Sequence, residues 1–219
     1  MITFEEIKQN EAVKSYIQQA DASLIALGYT EHSFAHVNVV AKTAKYILET
    51  LKYPAHDIEL VQIAAYLHDI GNLINRVEHS QSGALLAFHI LNEMHMPPQD
   101  IALIATAIGN HDEGTGVPVN PIAAALIIGD KTDVRRSRVR NHDLLAFDIH
   151  DRVNYSVEKS HVTIDKESSA ITLNITLDPQ FGSVMDYFEI FMNRMILCRK
   201  AAEKLGLKFN LFINDQQLI

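Results

Sequence analysis

Through the first 140 positions apolar residues recur at three- and four-residue intervals; beyond them stretches of strict alternation appear. The chain therefore reads as a run of helices followed by mixed helix and strand. Phe4, Ile7, Val13, Tyr16, Ile17, Ala20, Leu24 and Leu27 form one stripe up to Gly28, and Thr3 with Glu6 makes a capping-box pattern at its start. A second helix is expected over 33–51, stopped by Tyr53-Pro54. A third is capped by Asp57, turns Leu60, Ile63, Ala64 and Leu67 inward, and ends near Gly71. Ser80 begins a fourth that ends before Pro97-Pro98, and a fifth covers 99–110. Asn120-Pro121 supplies a cap and a first-turn proline for a sixth, reaching Thr132. After Asn141, Ile171, Leu173, Ile175 and Leu177 alternate with polar residues, which predicts a strand. The Val-, Tyr- and Thr-rich stretch 153–164 is expected to pair with it through a turn at 165–169. A helix over 182–205 and a strand over 207–213 complete the pattern. The fold class is thus mainly α: a helical domain over 1–141 and an α+β appendage over 142–219 (hairpin, helix, strand) packed on it.

Composition narrows the function. With 47% hydrophobic and 21% charged residues the chain can bury a sizeable core. Its apolar runs are far shorter than the roughly 20 residues of a membrane helix, and the polar start MITFEEIKQNE is not a signal peptide. A single cysteine, Cys198, excludes an internal disulfide and a cysteine-built zinc site and fits a reducing cytoplasm. The net charge of −8 argues against stable nucleic-acid binding. Eleven histidines are the unusual number.

Several of these histidines fall at helix ends. His36 opens the second helix, His68-Asp69 closes the third in AAYLHDIGN, His79 precedes the fourth in EHSQSGA, and His111 follows the fifth in IGNHDEGTG. Asp130 ends the apolar sixth helix in AALIIGDKTD. Imidazole and carboxylate suit a divalent metal such as Fe, Mn, Co, Ni, Zn or Mg. Four histidines and two aspartates exceed the needs of one tetrahedral site and suit two ions, with Asp69 placed to bridge them. Such a pair activates hydroxide at neutral pH and clamps a phosphoryl oxygen.

The strings HVNVVAKTA, LHDIGN, EHSQSGA, NHDEGTG and IIGDKTD, in this order, resemble the HD-domain metal-dependent phosphohydrolase superfamily over roughly residues 30–140. The resemblance implies His36, His68, Asp69 and Asp130 as the minimal metal set, with His79 and His111 as the further ligands of dinuclear members. It also implies hydrolysis of a phosphomonoester or phosphodiester, most plausibly a nucleotide. Dinuclear members commonly carry a phosphate-contacting lysine where this chain has Asn72, which makes Asn72 a substrate-facing candidate. Asn110-His111 and Gly116-Val117-Pro118 depart from the signature of cyclic-dinucleotide phosphodiesterases, and Leu73-Ile74 from that of alarmone hydrolases.

Lys131, Arg135, Arg136, Arg138 and Arg140 put five of nineteen basic residues into ten positions after Asp130. Lys131 and Arg135, nearest the ligand, are the candidates for holding an anionic substrate. His32, one turn before His36, is placed to shape the pocket entrance or to stand in for His36. Asp112, with Glu113 beside it, is a candidate acid for the leaving group. A diiron oxygenase with the same ligands and a non-catalytic metal-binding regulator are the competing readings. The appendage has the strand edge and amphipathic helix that a homodimer would cover.

Overall fold

Helical periodicity is realised as seven α-helices before the basic run: α1 (Phe4–Gln9), α2 (Glu11–Ala26), α3 (Phe34–Thr50), α4 (Ala55–Leu67), α5 (His79–Glu93), α6 (Pro98–Gly109) and α7 (Pro121–Lys131). These come from a computed structural model that describes residues 2–140 and 148–219. The expected boundary at 141/142 lies outside the described residues.

Local capping explains most of the element ends. Thr3 and Glu6 form the capping box of α1, and Asn120 accepts from the Ala123 amide at 2.8 Å to start α7 with Pro121 in its first turn. Three expectations need correction. The single N-terminal helix is two, because the Asn10 side chain accepts from the Val13 amide at 3.1 Å and restarts the helix there. The third helix stops at Leu67, with Pro54 and not Asp57 at its N-cap, and a separate 3-10 turn, Ile70–Leu73, follows Asp69. Residues 153–156 are helical: Asp148 caps α8 (Ile149–Ser156) by accepting from the Asp151 amide at 2.8 Å. Their β-branched and aromatic composition gave way to that cap and to the inward spacing of Val153 and Ser156.

The strands are β1 (Val157–Asp165), β2 (Ala170–Leu177), β3 (Lys208–Ile213) and the short β4 (Gln216–Gln217), in sheet order β1-β2-β3-β4. β1 and β2 form the expected antiparallel hairpin, pairing Ile164 with Ile171. β2 and β3 are parallel, pairing Ile171 with Phe209, so their connection must cross over, and α9 (Val184–Lys204) makes that crossing.

One buried apolar cluster runs from Ile7 to Ile213. α7 is its axle: every residue from Ile122 to Gly129 is buried, and the helix packs on α3, α4, α6 and α9. At Gly129 a side-chain carbon would lie 2.9 Å from the Val40 carbonyl. That close approach sets the second turn of α3 beside the last turn of α7. Among the described residues no helix is long and apolar enough to cross a membrane.

Candidate metal centre

Four helix ends meet at one place, and each brings a histidine whose Nδ1 is already committed. His68 Nδ1 donates to the Ala65 carbonyl at 2.7 Å, His79 Nδ1 to the Arg76 carbonyl at 3.1 Å and His111 Nδ1 to the Ile108 carbonyl at 2.6 Å. His36 Nδ1 donates to Asp133 Oδ2 at 2.8 Å. Carbonyls and carboxylates only accept, so these bonds put the proton on Nδ1 and leave each Nε2 a lone pair.

Those lone pairs face other acceptors. His36 Nε2 lies 3.3 Å from Asp130 Oδ1 and 3.5 Å from Asp69 Oδ2, and His68 Nε2 lies 3.2 Å from Asp69 Oδ2 and 3.6 Å from Asp130 Oδ1. His79 Nε2 is 3.5 Å from Asp69 Oδ1 and 3.2 Å from His111 Nε2. His36 Nε2, His68 Nε2 and Asp69 Oδ2 are buried with no hydrogen-bond partner. Orphaned acceptors pointed at one another destabilise a fold unless a cation sits among them. Two overlapping groups, His36–His68–Asp130 and His68–Asp69–His111, have ligand atoms within 4.8 Å of one another. Their nitrogen and oxygen donors fit a divalent metal ion. The chain's own response to the same field is protonation. Burial opposes charge on His68, yet Asp69 and Asp130 override it and lift that imidazole to about 10. Burial also favours neutral carboxyls, but His68 holds Asp69, and Lys131 holds Asp130, well below the usual carboxylate range. A metal ion would take the place of that proton.

A tight crossing fixes this geometry. A side-chain carbon on Gly71 would lie 1.9 Å from the His79 carbonyl and 2.5 Å from the Gly83 amide, so only glycine lets the 3-10 turn rest on α5. Glu78, just before His79, adopts a left-handed backbone (φ 55°) to start α5 there.

The centre opens into a cavity of about 540 Å³. Lys131 and His32 line it. Lys131 is buried, with Nζ 2.7 Å from both Asp130 Oδ2 and Glu113 Oε2. His32 donates to the Thr30 carbonyl at 2.7 Å and sits ring-to-ring with His36 at 5.5 Å. Burial, with help from Arg138, keeps its imidazole well below the ordinary value. Asp112 Oδ1 is 3.9 Å from His79 Nε2, and its side chain remains 28% exposed. Two candidates lie elsewhere. Asn72 sits behind Asp69, donating to its carbonyl at 2.9 Å and its Oδ1 at 3.1 Å. Arg135 is outside the cavity, its guanidinium on Asp133 (2.5 and 3.0 Å) and Glu31 (3.4 Å).

Some residues at the site carried no reading from sequence. Asp133, which orients His36, sits three residues beyond Asp130 in a string already singled out, so its signal was present but unused. Arg194 of α9 donates to Glu113 Oε1 at 3.0 Å, a contact across 81 positions that local pattern cannot disclose. His150 of α8 lines the cavity although its sequence context is bland.

An uncharacterized protein of Methanocaldococcus jannaschii is 24% identical over 203 residues, spanning 82% of this chain and 77% of its own. The crystal structure of a predicted HD superfamily hydrolase from an uncultured Thermotogales bacterium has a TM-score of 0.45 at 22% identity, covering 57% of this chain and 67% of that one. The HD domain family model matches residues 33–154, a segment that contains His36, His68, Asp69, His79, His111 and Asp130. The chain belongs to the HD domain family.

Proposed function

We propose that this protein is a hydrolase dependent on two divalent metal ions, cleaving a phosphomonoester or phosphodiester of nucleotide size. The observation that carries the reading is the set of four histidines with committed Nδ1–H groups, whose Nε2 lone pairs converge on Asp69 and Asp130. Asp69 turns Oδ2 towards His36 and His68 and Oδ1 towards His79, the posture of a carboxylate shared between two ions. When bound, such ions supply Lewis-acid polarisation of an ester oxygen and activation of water at neutral pH.

The remaining work belongs to side chains. Lys131 holds the outer oxygen of Asp130, keeping Oδ1 turned to His36 and His68. Glu113 is unsuited to proton donation: burial works against its charge, but Lys131 and Arg194 outweigh burial and hold its carboxyl down at about 2. Asp112, partly exposed beside His79, is the residue that returns a proton to the departing oxygen. In the net reaction water oxygen bonds to phosphorus, the ester P–O bond breaks, and the alcohol leaves with a proton from that water. The cavity volume falls within the roughly 300–1,000 Å³ of small-ligand sites.

Release of p-nitrophenol from p-nitrophenyl phosphate and from its bis-ester, and product analysis on a nucleotide panel, test the reading on manganese-loaded protein. Turnover lost together with bound metal in His36→Ala and Asp69→Ala is the expected result. A metal-loaded wild-type protein that cleaves neither monoester nor diester among them would overturn it.

A further inference from the structure

Arg76 differs from the other cations around the cavity. Lys131 is matched by Asp130 and Glu113, Arg194 by Glu113, and Arg138 reaches Asp133. Arg76, half-buried on the segment leading into α5, rests its guanidinium over the ring of Tyr29, 5.5 Å from the centroid. Its Nη1 donates to Asn72 Oδ1 at 3.4 Å and to His79 Nε2 at 3.3 Å, and it forms no ion pair with a carboxylate among the described residues. A guanidinium is always charged, so this cavity wall carries a cation for which the described residues provide no carboxylate counter-ion.

The acceptor it uses makes this more pointed. His79 Nε2 is the lone pair that a metal ion would take, and one lone pair cannot serve both. A dication held by His79 and His111 would remove Arg76's acceptor and set like charges side by side. That is unfavourable in a partly desolvated site until an anion enters between them.

We propose that Arg76 grips the non-bridging oxygens of the substrate's phosphoryl group, and that anion binding at Arg76 and cation binding at His79 reinforce each other. The inference rests on the phosphohydrolase reading above and adds to it the residue that selects a tetrahedral oxyanion. The planar fork of guanidinium N–H groups matches two phosphoryl oxygens, and stacking on Tyr29 holds the fork in place beforehand. By linkage, whatever factor metal adds to anion affinity, the anion adds to metal affinity.

The test is calorimetric titration of inorganic phosphate into manganese-loaded full-length wild type, Arg76→Gln and Arg76→Lys, with metal content measured on the same samples. Wild type is expected to bind phosphate, and Arg76→Gln to bind it about 10- to 100-fold more weakly at unchanged metal content. Arg76→Lys should recover part of the loss, since it keeps the charge but not the fork. Phosphate should also tighten manganese binding, read by chelator competition, in wild type and not in Arg76→Gln. Phosphate affinity within twofold of wild type in Arg76→Gln would overturn the assignment and leave the hydrolase reading standing. Loss of metal from Arg76→Gln would overturn it too, because Arg76 would then be supporting the ligands. Failure of metal-loaded wild type to bind phosphate would bring down both.

Discussion

Replacing Gly71 with alanine places a methyl carbon 1.9 Å from the His79 carbonyl and 2.5 Å from the Gly83 amide. Both are backbone atoms of α5 and cannot rotate aside. An ordinary contact starts near 3.4 Å, so the 3-10 turn and α5 must part by about 1.5 Å. Overpacking of this kind costs about 1–3 kcal/mol, and rigid neighbours put it at the upper end. At about 2–4 °C per kcal/mol for a chain of this size, the melting temperature should fall by about 6–12 °C. The same displacement would carry His79 Nε2 from 3.5 Å to about 5 Å from Asp69 Oδ1. Metal–ligand bonds of about 2.0–2.2 Å let two donors share an ion only up to about 4.3 Å apart. On the two-ion reading proposed above, Gly71→Ala should therefore lose one metal equivalent by elemental analysis while keeping the other. Gly109→Ala is the control: its added carbon meets Ala84 at an ordinary 3.7 Å, so it should be neutral or stabilising by up to about 1 kcal/mol. Two retained equivalents and an unchanged melting temperature in Gly71→Ala would refute the claim that this crossing sets the spacing of the centre.

Asp133→Asn keeps the shape behind His36 but removes the charge that orients its ring, so metal affinity should drop about 10- to 100-fold. Chelator competition checks this, and an unchanged affinity would contradict it. Stripping metal from protein held at 100 times its dissociation constant should remove about 2.7 kcal/mol of stability, seen as a lower melting temperature with chelator than without. Burial pushes the Cys198 thiol up to about 12, so almost none of it is thiolate between pH 7 and pH 9. Native alkylation, followed by mass spectrometry, should be slow and track unfolding; rapid labelling that levels off at about pH 8.5–9, as for an exposed thiol, would be the contrary result.

What the chain discloses locally, the structure reproduces. Asn120-Pro121, the Thr3–Glu6 pair and the alternation from Ile171 to Leu177 each act within a few residues, and each forms the element it predicts. The six histidines and aspartates could be picked out because each closes or opens a helix next to an apolar face. What stayed hidden depends on tertiary partners. Residues 153–156 have strand-like composition but answer to the Asp148 cap. Arg135 stands close to Asp130 in sequence, yet the chain turns after Lys131 and Asp133 captures its guanidinium away from the cavity. Arg76 and Arg194 become visible only once α5 and α9 are docked.

The ligand atoms of the centre come from four helix ends, with His36 and its orienting Asp133 separated by 97 positions. Among the described residues no short segment brings these ligands together by itself, and the cation-bearing helix α9 arrives later still, between two strands that pair in parallel. Contacts of such long range form late in folding. During synthesis the segments through α9 must therefore have emerged before the pocket exists, and ion uptake follows maturation of the fold instead of guiding it. Cells starved of the ion would accumulate a folded, empty protein awaiting its metal.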